Sequence, residues 1–162
     1  MADREYTESG LVFRFREEYV FKPDELPAGS RYQNVKGCDF IWRNKNGRVE
    51  IIEAKSSVPR SSSDLELYLE DISIKFVHSI LLWLSATFGR HRSVQVAQFL
   101  SEEGALKAKP RFLLIINGLT EKHAPDLQHK FQNKLMPIRR AFAMDPPLVL
   151  TEQKARELLL IL

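Results

Sequence analysis

A chain of 162 residues has the length of one domain, taken here as residues 1–162, and is long enough to bury a real core. Hydrophobic residues make up 44% and charged residues 28%, a balance that excludes a disordered or membrane-embedded chain. The net charge of +3 is uneven: residues 1–81 carry 12 basic and 14 acidic side chains, residues 82–162 carry 12 and 7.

The excess lies in Arg90, His91, Arg92, Lys107, Lys109, Arg111, Lys130, Lys134, Arg139 and Arg140, and suits a polyanionic partner. The single Cys38 excludes an internal disulfide and a cysteine-based zinc cluster, and fits a reducing cytosol. MADREYTESG has no signal-peptide pattern. The apolar region from Ile72 to Phe88 is broken by Lys75 and His78, so it reads as a buried helix and not a membrane span. A cytoplasmic protein without membrane contact is the expectation.

In chain order, Leu11 to Phe21 alternates and is rich in Val, Phe and Tyr, which predicts a strand. Residues 22–35, with two prolines and a glycine, form a loop. A hairpin follows over 37–43 and 48–55, turning at Asn44-Lys45-Asn46-Gly47. Asp64 is expected to cap a long helix from Leu65 to Phe88, ended by Gly89. A second helix covers Val94 to Lys107, and Phe112 to Ile116 is an apolar run suited to a central strand. A helix from Asp126 to Met144, disturbed at Pro137, precedes an extended piece at Leu148–Leu150. Thr151 can cap a terminal helix through Ile161. The order predicts an α/β fold, a mixed central sheet flanked by helices.

The hairpin carries the chemistry. Glu53 and Lys55 share one face of their strand with Ile51, a face that begins apolar and ends charged. A two-residue loop at Asn46-Gly47 would set Asp39 opposite Ala54, facing away from Glu53. A three-residue loop with Gly47 in the left-handed conformation would set Asp39 opposite Glu53. Both registers are open to the sequence. Two carboxylates and an ammonium at one spot can bind Mg²⁺ or Mn²⁺ through hard oxygen ligands and act on a phosphate. The competing reading is the polar face of an edge strand, but unpaired charge is costly to bury.

Gly37-Cys38-Asp39, a hairpin, then Ile51-Ile52-Glu53-Ala54-Lys55 resembles the PD-(D/E)XK nuclease superfamily. The resemblance implies a restriction endonuclease-like core, with a central hairpin followed by a long helix and a further strand. It implies Asp39 and Glu53 as metal ligands, the Ala54 carbonyl as a third, and Lys55 as the catalytic lysine. Mg²⁺ or Mn²⁺ would be the cofactor, and DNA the partner, with RNA as the other nucleic acid. Restriction, defence or repair would be the setting, with specificity from a homodimer or a partner protein. A catalytically inactive nuclease fold used for binding is the alternative.

Cys38 stands where that pattern has proline. The family's N-terminal acidic residue has three candidates, Glu8, Glu17 and Glu18, and a helix over Leu11–Tyr19 would favour Glu17. Ser56, Ser57 and Arg60 follow Lys55 where a phosphate can be held. Lys75 and His78 share a helix face and can reach the site or substrate. Tyr68 and Trp83 are expected in packing roles, and the terminal ELLLIL caps the core or meets a second copy.

Overall fold

The computed structural model describes residues 3–26, 34–91 and 93–162. Arg92 and part of the expected 22–35 loop (residues 27–33) lie outside the described residues. The chain opens with a hairpin, β1 (Asp3–Glu8) and β2 (Leu11–Arg16). Its two-residue turn holds Ser9 and Gly10 at φ 52 and 79°. The β1 strand was not expected, because five of the six residues in DREYTE are polar and most stay exposed on the outer strand of the hairpin.

The single strand expected over Leu11–Phe21 is split. A 3₁₀ turn at Glu17–Tyr19 separates β2 from β3 (Val20–Phe21), which joins the main sheet. The turn lets the chain leave one layer and enter the next. The main sheet has the order β3-β4-β5-β6-β7, with β4 Phe40–Arg43, β5 Val49–Lys55, β6 Arg111–Ile116 and β7 Leu148–Thr151. Strands β3, β4 and β5 are antiparallel neighbours, while β6 and β7 run parallel to β5. The α/β expectation with a mixed sheet therefore holds.

Parallel neighbours need crossover connections. Helix α1 (Ser62–Thr87) joins β5 to β6, and α3 (Ala124–Ala141) joins β6 to β7. Both helices cover the same face. Ile41, Ile51, Phe112, Leu114 and Ile116 pack there against Leu69, Ile72, Phe76 and Ile80 of α1 and Phe131 and Leu135 of α3. Alternate strand residues (Phe40, Ile52, Ala54, Leu113, Ile115, Leu150) point the other way, against Leu11, Phe13 and Phe15 of β2 and the C-terminal Leu160 and Ile161. Burial on both faces is what the FLLII run requires.

Three boundaries differ from expectation for local reasons. Ser61, not Asp64, caps α1: its hydroxyl accepts from the Asp64 amide and donates to the Asp64 carboxylate. The helix expected over Val94–Lys107 is reduced to a 3₁₀ turn at Gln98–Leu100 and a short α2 (Glu103–Lys107). Here the Phe99 carbonyl accepts from Arg43 and the Leu100 carbonyl from the Trp83 indole, so neither caps a helical rung. Thr151 does cap α4, accepting from Lys154 N, but α4 spans only Glu152–Glu157. Leu159 turns at φ 58°, and Leu162 N then donates to Val12 O, carrying Leu160 and Ile161 into the core. Among the described residues, no helix is long and apolar enough to cross a membrane.

Candidate functional site

The β4–β5 turn fixes the site. Asn44 N donates to Arg48 O at 2.9 Å, Gly47 N donates to Asn44 O at 2.9 Å, and Gly47 sits at φ +78°. This is the three-residue loop, stabilised by Asn44 Oδ1, which accepts from the amides of Asn46 and Arg48. Phe40 pairs with Ile52 and Ile41 with Ile51, so one residue further along the same register sets Asp39 opposite Glu53. Opposed residues of an antiparallel pair share a face. Asp39, Glu53 and Lys55 are gathered on the face that carries α1.

Glu53 is 1% exposed. Its Oε1 accepts from Lys55 Nζ at 2.8 Å and from Lys75 Nζ of α1 at 2.7 Å. Its Oε2 is buried without a hydrogen-bond partner. Burial works against the charge of Lys75, but Glu53, by charge and by hydrogen bond, outweighs it and raises the Lys75 pKa. Lys75 is therefore a firm ammonium.

Glu50, three residues earlier on β5 and equally buried, provides the contrast. Arg111 grips both its oxygens, Nε to Oε2 at 3.0 Å and Nη2 to Oε1 at 2.7 Å, and Asn44 Nδ2 adds a third bond. Glu50 is thereby fully satisfied, as buried carboxylates usually are. Glu53 is not.

Asp39 is 8% exposed, and its Oδ2 accepts from the Ala54 amide at 2.6 Å. Burial, then the nearby Glu53, push its carboxyl up to about 7, and Glu8 adds to the rise, against the Ala54 amide and Lys75. Glu8 and Asp24 stand beside it, and the three offer carboxylate oxygens all within 4.8 Å of one another. Asp24 as a residue is exposed, but its carboxyl is desolvated and, with Glu8 and Glu25 near, is raised to about 6 despite Lys22. Glu8 has its own counter-charge in Lys22 Nζ at 3.0 Å.

Packing brings these acids together from distant parts of the chain. A Cβ on Gly37 would lie 2.3 Å from the backbone of Pro23 and 2.5 Å from Asp24 N, so only glycine lets the Pro23–Asp24 segment approach. The β1–β2 turn docks through Ser9, whose hydroxyl donates to the Ala54 carbonyl at 3.0 Å, and through Asn117, which donates to Ser9 O. That docking puts Glu8 at the site. On the α1 side, Cys38 N donates to Ser79 Oγ and Lys36 N to His78 Nδ1. His78 thus positions the segment leading to Asp39. Cys38 is fully buried, and burial pushes its thiol up, so it is inert packing.

Of the N-terminal acids, Glu8 is at the site. Glu17, which the sequence favoured, is not: it lies in the 3₁₀ turn, paired with Arg4 at 2.7 Å on the surface. The strand character of Leu11–Arg16 removed the helix that would have presented it. Lys75 is engaged by Glu53 and does not stand free for a phosphate. Ser57 and Arg60 are exposed on the β5–α1 loop, where the Ser57 carbonyl accepts from Tyr68 Oη at 3.2 Å. Asp24 was missed, because its place depends on the Gly37 contact and on no local pattern.

Hard carboxylate and carbonyl oxygens with open lone pairs suit Mg²⁺ or Mn²⁺. The unpartnered Glu53 Oε2 and the close carboxyls of Glu8, Asp24 and Asp39, the last two desolvated, are hard oxygen donors, so the residues fit such an ion. No family model matches the chain, and no curated protein or solved structure matches it.

Proposed function

We propose that the chain is a metal-dependent nuclease that hydrolyses DNA phosphodiester bonds, on a restriction endonuclease-like core. The observation that carries this reading is the register of the β4–β5 hairpin. It sets Asp39 opposite Glu53, with Lys55 on the same face and one Glu53 oxygen buried and unpartnered. The order hairpin, long helix, apolar strand is the order expected for that superfamily.

Asp39, Glu53 and the Ala54 carbonyl would hold the ion, with Glu8 and Asp24 within reach of Asp39. The Ala54 carbonyl has a second lone pair beside the one Ser9 uses. A bound Mg²⁺ or Mn²⁺ supplies Lewis acidity, lowering the pKa of water and neutralising charge on the transferring phosphoryl group. The chain's own groups do the positioning. The Asp39 carboxylate is fixed by the Ala54 amide, and Lys75 holds Glu53 from α1. Lys55 Nζ lies 2.8 Å from Glu53 Oε1 at the strand end, where it can orient a water or offset charge on a phosphate oxygen.

A binding-only domain is the second reading, favoured by one observation: Lys55 and Lys75 both neutralise Glu53 without an ion. Cleavage assays separate the two. With Mn²⁺, the nuclease reading predicts strand scission by the wild type and a loss of at least about a hundredfold in Asp39→Ala, Glu53→Ala and Lys55→Ala. Activity that survives all three substitutions would end the catalytic assignment.

A further inference from the structure

A cleft of about 760 Å³ opens beside the carboxylate site, between the β5–α1 loop and the start of α3. We propose that this cleft seats an unpaired nucleotide of a DNA strand next to the scissile phosphate. The substrate would then be DNA with a single-stranded segment at the point of cleavage. The inference rests on the nuclease reading above.

Position is the first argument. The rim begins at Ser56, the residue after Lys55, and the floor includes Ile116, the parallel partner of Lys55. Asn117 N donates to Lys55 O at 2.8 Å, so the cleft wall and the lysine are one rigid unit. Tyr68 ties them further. Its hydroxyl donates to Ser57 O, and its pKa is raised by burial and then by the nearby Glu53.

Size is the second. The volume lies in the range of sites that enclose one small molecule. One or two nucleotides fit, and a duplex does not. A nucleotide seated in this cleft would be unpaired there.

The third is chemistry. Val58, Leu65 and Leu119 give an apolar wall for the face of a base. Arg60 stands exposed on the rim, with no carboxylate paired to it among the described residues. The other rim cation, Lys130, is balanced by Asp126 at 2.8 Å. The net charge offered is that of one phosphate contact, and not the long basic stripe that tracks a duplex.

The test compares labelled blunt duplex DNA with the same duplex ending in a single-stranded tail. Fluorescence anisotropy and Mn²⁺-dependent cleavage are both read, using the full chain. The tailed DNA should bind about tenfold more tightly, the scale of one stacked base or phosphate contact, and be cut at the junction. Arg60→Glu and Ser57→Trp, both on the exposed loop, should abolish the preference while Mn²⁺ binding by calorimetry stays unchanged. Equal handling of blunt and tailed DNA by the wild type, or a preference intact in both variants, overturns the inference while leaving the nuclease reading standing. A tail of RNA preferred over DNA overturns the DNA assignment. A wild type that neither binds Mn²⁺ nor cuts any DNA overturns both readings.

Discussion

Asp39 concentrates the chemistry of the site in one side chain. Its carboxyl, raised to about 7, and that of Asp24, raised to about 6, bind protons in the folded chain that the unfolded chain has released. A raised carboxyl contributes stability that is complete below the unfolded value of about 4 and is lost as pH rises through the folded value. The metal-free protein should therefore lose thermal stability as pH rises from about 4 to about 7. A bound cation reverses the sign of the local field, so Mn²⁺ should raise the melting temperature more at pH 8 than at pH 5, with protons released on binding. Melting curves across that range, with and without Mn²⁺, check both statements. A metal-free melting temperature that rises from pH 4 to pH 7, or a Mn²⁺ effect independent of pH, would contradict them. Of the residues involved, Glu53 and Lys55 were legible because a short strand carries them. Asp24 was not, since nothing within a few residues of it marks its destination.

At the scale of elements, one glycine turn and one glycine contact decide which acids meet. Gly47 at φ +78° sets the hairpin register, and the sequence left that register open because Asn-Gly serves both loop lengths. Asn44 settles it by accepting from the amides of Asn46 and Arg48. Gly37 admits the Pro23–Asp24 backbone at distances no Cβ allows. Gly37→Ala should cost about 1–3 kcal/mol of stability through overpacking and should weaken metal binding by moving Asp24 from Asp39. Chemical denaturation and a Mn²⁺ titration measure the two effects. Unchanged stability would mean that the Pro23 contact is not made. The split of the expected strand into β2 and β3 has a similar origin: alternating β2 and the apolar pair Val20–Phe21 read as one extended run, and only their separate partners tell them apart.

Across the whole molecule, the sheet is clothed unequally. Helices α1 and α3 cover one face, and the β1–β2 hairpin with the C-terminal Leu160 and Ile161 covers the other. Charged groups from each layer meet at the ends of the strands: Glu8 from the hairpin, Asp24 from the loop after β3, Asp39 and Glu53 from the sheet and its approach, and the Lys75 ammonium from α1. The periodicity of α1 and the apolar run of β6 made the sheet-and-helix core readable from sequence. The hairpin layer was hidden, because β1 is largely polar and its pairing to β2 depends on a two-residue turn at Ser9-Gly10. The same layering explains why one buried glutamate on β5 is satisfied and the other is not. Glu50 sits at the far end with Arg111, whereas Glu53, whose charge acts on Asp39, keeps one buried oxygen unpartnered. Isothermal calorimetry with Mn²⁺ on the wild type and on Glu53→Gln tests the central claim most directly. The account predicts binding by the wild type, weakened at least about tenfold by the loss of one of its carboxylate ligands. No heat of binding in the wild type, or equal affinity in Glu53→Gln, would contradict it.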